Sequence, residues 1–338
     1  MISEDMRTVV EAATMAPSLH NSQPWRFRVD GDVLDVFADR ARELRVIDPA
    51  ARELHVSCGA AIFFARTAVR ALDRACLIEL LPDPADPDHL ARITAGGADP
   101  VTVDEQALAE AIPLRYTDRG VFDERPVPAA LVEQLRAAAS AEGGWLRVLD
   151  TADDEIAAAV LLARANDIEL DHPDYEAELA AWSRSTPAAD DGIPRQAVPA
   201  TPVAERGSVF RLRDFDVDGT LTAAHSRSGV PPTPERPLVV VLGTPGDDPA
   251  SWLEAGQALG RLLLRAAADG VTASPMTQVV EVPATRTLLA RSLGLLGHPQ
   301  IVLRLGYGHG RPRTHRRPLA DVIAAGRTKV PQTGDLRP

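Results

Sequence analysis

The sequence predicts an α+β protein made of two degenerate copies of one unit in tandem. Three observations carry that expectation. Val9-Val10-Glu11-Ala12-Ala13, followed by Trp25-Arg26-Phe27-Arg28-Val29, matches Leu131-Val132-Glu133-Gln134-Leu135, followed by Trp145-Leu146-Arg147-Val148. Each reads as helix, loop and Trp-led strand, and self-similarity of this kind is the mark of a repeated unit. Cys58-Gly59-Ala60-Ala61-Ile62-Phe63-Phe64 matches Ala255-Gly256-Gln257-Ala258-Leu259-Gly260-Arg261, each a helix with a small residue near its start and a strand after it. The copies then close on His89-Leu90-Ala91-Arg92-Ile93 and Pro318-Leu319-Ala320-Asp321-Val322-Ile323. Chance likeness between Ala-rich helices competes with this reading, but the shared order of four elements favours duplication.

The elements follow from local pattern. Residues 4–15 read as a helix, with Met6, Val9, Val10 and Ala13 on one face. Residues 25–29 and 33–37 alternate as strands around Asp30-Gly31-Asp32, which predicts a hairpin. Residues 55–72 form an apolar helix, and residues 76–81 a short buried strand. In the second half, Pro128 opens a helix to about residue 141. Gly143-Gly144 ends it, and residues 145–149 are a strand. Residues 153–182 are helical, interrupted near Asp171-His172-Pro173. Residues 238–242 and 301–305 are strands, with a helix over 254–268 stopped by Gly270. Between them, residues 187–237 are polar and rich in Pro, Gly and charge; a loop of that length in a compact body reads as a functional lid. The predicted division is 1–100 for the first unit and 101–330 for the second.

Composition narrows the function. The chain has 338 residues, 45% hydrophobic and 25% charged, and a net charge of −12. An acidic surface argues against nucleic-acid and anionic-membrane partners. No apolar run reaches the roughly 20 residues a bilayer span needs. The N-terminus is acidic, unlike a secretory signal. Cys58 and Cys76 are too few for a disulfide framework. The expectation is a reduced, cytoplasmic protein. The basic residues are nearly all arginine, and Lys329 is the only lysine.

Three segments carry chemistry. Pro17-Ser18-Leu19-His20-Asn21-Ser22-Gln23-Pro24-Trp25 offers hydroxyl and amide groups on a loop stiffened by two prolines, suited to the polar edge of a planar ring. A plain helix-to-strand connection would look much the same. In Arg115-Tyr116-Thr117-Asp118-Arg119, alternate residues of an extended segment share a face. Arg115, Thr117 and Arg119 would then form a phosphate-binding set, because guanidinium pairs with phosphate through forked hydrogen bonds. The competing reading is a solvated charged segment. Arg311, Arg313, Arg316 and Arg317 form a basic island in an acidic chain. The preceding Gly306-x-Gly308-x-Gly310 is no dinucleotide fingerprint, since a basic proline-containing loop follows it rather than a helix.

Together these motifs resemble the FMN-dependent nitroreductase superfamily: Pro17-Ser18-x-x-Asn21-x-Gln23-Pro24-Trp25, Arg115-x-Thr117-x-Arg119, and Gly306-Tyr307 followed by Arg316-Arg317-Pro318-Leu319. The chain is most similar to the Acg-like branch, in which two units are fused, over about residues 3–325. The resemblance implies an α/β/α sandwich with an intrachain pseudo-dimer, FMN as cofactor, and a monomeric chain. It implies phosphate contacts from Arg115, Thr117 and Arg316 or Arg317, with Arg119 as the cation near flavin N1 and O2. It puts Pro17, Ser18, Asn21 and Gln23 near the ring, and Pro275, Met276 and Thr277 at its N5 and O4 edge. Copy one has the ring loop and lacks the arginine motif. Copy two has the arginines, but only residues 139–144 in place of the loop. Asp83, Asp86 and Asp88 in copy one would repel a phosphate. One complete site per chain is therefore expected.

The implied activity is hydride transfer from NADH or NADPH through flavin N5 to a small electron-poor aromatic acceptor, a nitroaromatic or a quinone. The alternatives are an FMN-sequestering protein whose lid blocks nicotinamide access, and a specialised flavin dehydrogenase.

Overall fold

The computed structural model describes residues 2–198, 210, 213, 215, 235–308, 310 and 313–324. Two four-stranded antiparallel sheets flank a pair of long central helices. The first sheet contains β1 (Trp25–Asp30), β2 (Val33–Ala38), β3 (Arg74–Leu80) and β4 (His89–Ala98), in the order β1-β2-β4-β3. The second contains β5 (Trp145–Val148), β8 (Leu238–Thr244), β9 (Thr272–Pro275) and β10 (His298–Gly306), in the order β5-β8-β10-β9. A minor parallel pair, β6 (Ser183–Arg184) and β7 (Ile193–Pro194), lies in the segment between β5 and β8. Taken in chain order, the two main sheets have the same topology. The duplication read from the sequence is therefore visible as two copies of one unit.

The central helices explain how the copies join. Arg52–Ala71 is buried except at Arg66, Arg70 and Ala71. A helix apolar on nearly all sides needs neighbours all round. Its partner is Pro249–Ala268, which Asp248 caps by accepting the Ser251 N–H at 2.8 Å. The helices cross at Gly59 and Gly256. A Cβ on Gly59 would lie 2.3 Å from the Leu253 carbonyl oxygen, and one on Gly256 would lie 2.1 Å from that of Val56. These approaches are mirror statements of one pseudo-two-fold axis, with Val56 equivalent to Leu253. The side chains exchange accordingly: Leu253 packs in the core of the first half and Val56 in that of the second.

The second sheet is covered on both faces. Val240 and Leu242 face the central helices, whereas Val239 and Val241 pack on an outer layer with Leu161, Val279 and Leu289. The outer face of the first sheet instead carries an ion-pair cluster, in which Asp35 meets Arg28 at 2.6 Å, Arg92 at 2.8 Å and His89 at 3.0 Å. The hairpin turn at Gly31 joins β1 to β2 directly. In the second copy, residues 149–237 are inserted at the equivalent place, between β5 and β8. They include the helices Ala152–Leu170 and Tyr175–Ala181.

Two chain crossings knit the halves together. Helix Val103–Ala111, started by a Thr102–Glu105 capping box, sets Leu108 and Ala111 into the first core. The chain then reaches the second sheet, where Thr117 bridges Ala273. At the other end, Ile323 bridges Phe27 on the edge of the first sheet, and Ala324 N–H donates to the Phe27 carbonyl at 2.7 Å.

Three expectations are corrected. The counterpart of β4 is β10, not residues 318–323, which form the short helix Leu319–Val322 and the crossing just described. The strand expected at 76–81 is β3, and it is a half-exposed edge with Leu77 70% accessible, because no outer layer among the described residues covers it. Helix Pro283–Ser292 was not anticipated. Much of the expected lid, residues 199–209, 211–212, 214 and 216–234, lies outside the described residues.

Gly256→Ala drives a methyl group into backbone and is expected to cost about 2–3 kcal/mol of stability, as overpacking does. Gly97→Ala, where nothing lies within 4 Å, should stay within about 0.5 kcal/mol of the parent. Urea denaturation of both variants checks the crossing.

Candidate functional site

A cleft opens where the two halves meet, beside the helix crossing. It holds about 1250 Å³ of non-protein space, its open mouth included. That is ample for a cofactor and a small second ligand, as such sites run to about 300–1,000 Å³. Both copies build it. The first contributes the 17–21 loop with Glu53, Val56 and Ser57. The second contributes Arg115, Thr117 and Arg119, Leu259 and Leu263, residues 273–275 with Thr277 and Gln278, and Arg313, Thr314 and Arg316.

The first loop is strained. His20, Asn21 and Gln23 have φ of 48°, 55° and 50°. Non-glycine residues seldom occupy the left-handed region, and such strain collects at functional sites. A web of hydrogen bonds holds the loop. Ser18 Oγ accepts from the Gln23 N–H at 2.9 Å. Asn21 Nδ2 donates to the carbonyls of Gly192 at 3.0 Å and His315 at 3.2 Å.

The basic end of the cleft is unusual in its electrostatics. Arg115 Nη2 donates to the Met15 carbonyl at 3.1 Å, and Arg316 Nη2 to those of Met15 and Ala16 at 3.3 and 3.2 Å. Those carbonyls end the helix Glu4–Thr14, where the helix dipole favours cations. Yet Arg115, Arg119 and Arg316 have no carboxylate partner among the described residues. The Nε atoms of Arg115 and Arg316 and Nη1 of Arg119 are buried without any hydrogen-bond partner. Burial pushes the Arg115 guanidinium down to about 9, with Arg316 and Arg313 adding repulsion. Burial also pushes Arg119 and Arg316 to about 10. Buried cations held this way are costly unless an anion completes them. Thr117, and Thr314, whose hydroxyl accepts from Arg316 at 2.9 Å, complete the lining at this end.

The far end is a buried polar network. Arg213 is held by Glu169 at 2.9 Å and by Glu281, and its Nη1 lies 2.6 Å from His20 Nε2. Phe215 stands edge-on to the His20 ring at 5.3 Å, with the Arg119 guanidinium 5.4 Å from its centroid. Burial raises Glu53 to about 7 against the opposing pull of Arg52.

Of the residues expected at the site, Pro17, Ser18, Asn21, Arg115, Thr117, Arg119, Pro275, Thr277 and Arg316 line this cleft. Gln23, Met276 and Arg317 do not, and each has a physical reason. The Gln23 amide is spent inside the loop web, donating to Asp190 O at 2.7 Å and accepting from Arg317 N–H at 2.9 Å. Met276 is a core residue whose N–H donates to the Val302 carbonyl at 2.8 Å. Arg317 turns to the carbonyls of Gln23 and Asp321. Sequence reasoning missed Glu53, Ser57, Arg213 and Phe215. Glu53 and Ser57 stand four apart on a helix, a readable signal; Arg213 and Phe215 sit in a segment without periodicity. His20 is buried, 5% accessible, and lines the cleft.

The pseudo-two-fold axis places a second cleft opposite, lined by Phe63, Arg66, Cys76, Glu142 and Arg261 among others. Its arginines are already paired. The Glu142 carboxylate sits between Arg66 and Arg261, 2.9 Å from the latter. Asp83, Asp86 and Asp88, expected to repel phosphate, lie instead in the β3–β4 connection, where Asp88 pairs with Arg40 at 2.7 Å. The second cleft is lined by the carboxylates of Asp99, Glu105 and Glu142, of which Glu142 bridges Arg66 and Arg261.

These features define a class: a duplicated α+β protein with a cleft between its copies that is lined by buried arginines lacking a carboxylate partner among the described residues. No protein-family model matches the chain. A Mycobacterium tuberculosis protein named "Putative NAD(P)H nitroreductase acg" is 34% identical over 335 residues, covering 96% of each chain. A second from that organism, with the same activity in its name, is 35% identical over 334 residues, 95% of this chain and 91% of that protein. Among solved structures, the FMN-dependent nitroreductase NfnB of Mycobacterium smegmatis, in complex with NADPH, is 17% identical with a TM-score of 0.40, over 66% of this chain and 99% of that one. The chain belongs to the nitroreductase family, with the Acg-type proteins. No helix among the described residues is long and apolar enough to cross a membrane.

Glu142→Ala leaves Arg66 and Arg261 facing each other without a counter-charge, and should cost about 1–3 kcal/mol. Added sulfate should recover part of that loss in a thermal melt.

Proposed function

We propose that the chain is an FMN-dependent oxidoreductase that takes hydride from a nicotinamide and passes it to a small electron-poor aromatic acceptor. The observation that carries this is the set of three buried arginines without counter-ions among the described residues, in a cleft whose remaining wall combines apolar Val56, Leu259, Leu263 and Phe215 with the His20–Arg213 network. FMN fits both ends: a dianionic phosphate for the cations and a planar ring for the rest. When bound, FMN supplies the redox chemistry itself.

The protein's part is binding and tuning. Arg115 and Arg316, with Thr117, hold the phosphate. Arg119 lies deeper, where a fixed cation favours an electron-rich ring edge over a neutral one. Pro17, Ser18 and Asn21 frame one side of the ring, and Pro275 and Thr277 the other. Residues 1–100 and 101–330 serve as the two units of an intrachain pseudo-dimer. The chain needs no second copy to complete the site.

One observation favours a second reading. Arg213 and Phe215 belong to the inserted segment, and both line the cleft. An aromatic ring there competes with a nicotinamide for the space above the flavin, as expected of a protein that sequesters FMN.

Two tests separate the readings. Arg115→Ala or Arg119→Ala should weaken FMN binding about ten- to a hundredfold, the worth of one charge-assisted hydrogen bond; unchanged affinity in both variants would remove the site assignment. Anaerobic NADPH should bleach the flavin absorbance of the parent within seconds to minutes. If only dithionite bleaches it, and Phe215→Ala restores bleaching by NADPH, the sequestering reading stands instead.

A further inference from the structure

Besides the Nε atoms of Arg115, Arg213 and Arg316, three hydrogen-bond donors in the cleft are buried without partners: His20 Nδ1, Gln278 Nε2 and Arg119 Nη1. Buried polar groups in native proteins are nearly always paired, so a set of orphans facing one cavity points to a ligand. All three can donate, and two of them can do nothing else. The ligand they suit is rich in acceptor oxygens.

His20 is the informative member, because its proton can be located. Arg213 Nη1 lies 2.6 Å from His20 Nε2. Guanidinium has no acceptor, so Nε2 must be the bare, accepting nitrogen. Burial, and next the charge of Arg213, keep the ring neutral, with Arg119 acting in the same direction against the pull of Glu281. A neutral imidazole with a bare Nε2 carries its proton on Nδ1. Arg213 is itself immobilised by Glu169 and Glu281, so the tautomer is fixed by a buried framework. The backbone at His20, with φ of 48° and ψ of 25°, is held in the left-handed region to place this ring.

We infer that His20 is a tautomer-locked donor whose Nδ1–H binds a carbonyl- or nitro-type oxygen of a planar ligand in the cleft, with Arg213 as its positioning residue. The inference rests on the flavin reading above. The oxygen can belong to the flavin ring or to the acceptor stacked beside it, and the experiment separates these sources.

The test uses full-length protein. FMN affinity is measured for the parent and for His20→Phe, which keeps an aromatic ring against Phe215 and removes the donor. The FMN-loaded proteins are then reduced with dithionite, freed of excess reductant, and reoxidised anaerobically by p-benzoquinone or by ferricyanide, which accepts electrons without needing that hydrogen bond. The loss expected from one hydrogen bond is about three- to tenfold. A loss of that size in FMN affinity assigns the oxygen to the flavin. Unchanged FMN affinity with slower reoxidation by the quinone alone assigns it to the acceptor. No change in either overturns the inference. A parent that takes up no FMN overturns the flavin reading and the inference with it. A second readout needs neither flavin nor turnover: the ¹⁵N shifts of His20 should show a neutral ring protonated at Nδ1 at pH 7, and Arg213→Met should release that tautomer. An Nε2-protonated ring or an imidazolium in the parent would overturn the inference even if His20→Phe folds poorly.

Discussion

The close crossing at Gly59 and Gly256 is the constraint on which the rest of the molecule depends. Backbone meets backbone there, which only glycine permits, and it does so symmetrically. Once the central helices are locked at that distance, each half lends a side chain to the other's core, and the space beside the crossing becomes two clefts related by the same axis. The chain crossings then carry residues of the second half onto the first: Leu108 and Ala111 into its core, and Ile323 to its sheet edge at Phe27. A site assembled in this way belongs to neither half alone, which is why a fused pair of units can keep one site and lose the other.

The two clefts differ chiefly in how their charges are balanced. In the first cleft, Arg115, Arg119 and Arg316 are anchored by carbonyls or left with orphaned nitrogens, and burial lowers their pKa values, the direction expected of cations held without an anion. In the second cleft, Glu142 supplies the anion internally, from the place where the 17–25 loop stands in the other copy. A covalently attached carboxylate is always present, so it settles its arginines permanently. In the first cleft that task is left, on the proposed reading, to the phosphate of a bound ligand.

Much of this was legible in the sequence, for reasons that differ by element. The matching Trp25 and Trp145 strands and the matching Gly59 and Gly256 helices were readable because burial and close approach restrict residue choice. Arg115, Thr117 and Arg119 were readable because extended backbone alternates. The pairing of β4 with residues 318–323 was misread, because two short apolar stretches look alike while strand pairing is decided in three dimensions. Gln23 and Arg317 were misplaced for a related reason: the sequence shows that a side chain can hydrogen-bond, but not which partner takes the bond. Arg213 and Phe215 were invisible, since nothing local marks one arginine in a polar insertion as the one that folds back into the cleft.

The central claim is that two copies build one working site. An equilibrium titration of the flavin-free protein with FMN, followed by absorbance and by the sedimentation of the complex, tests it most directly. The account predicts saturation at one FMN per chain on a monomer. Saturation at two per chain would mean that Glu142 does not close the second cleft, and one per two chains, on a dimer, would mean that the site is built between molecules rather than within one.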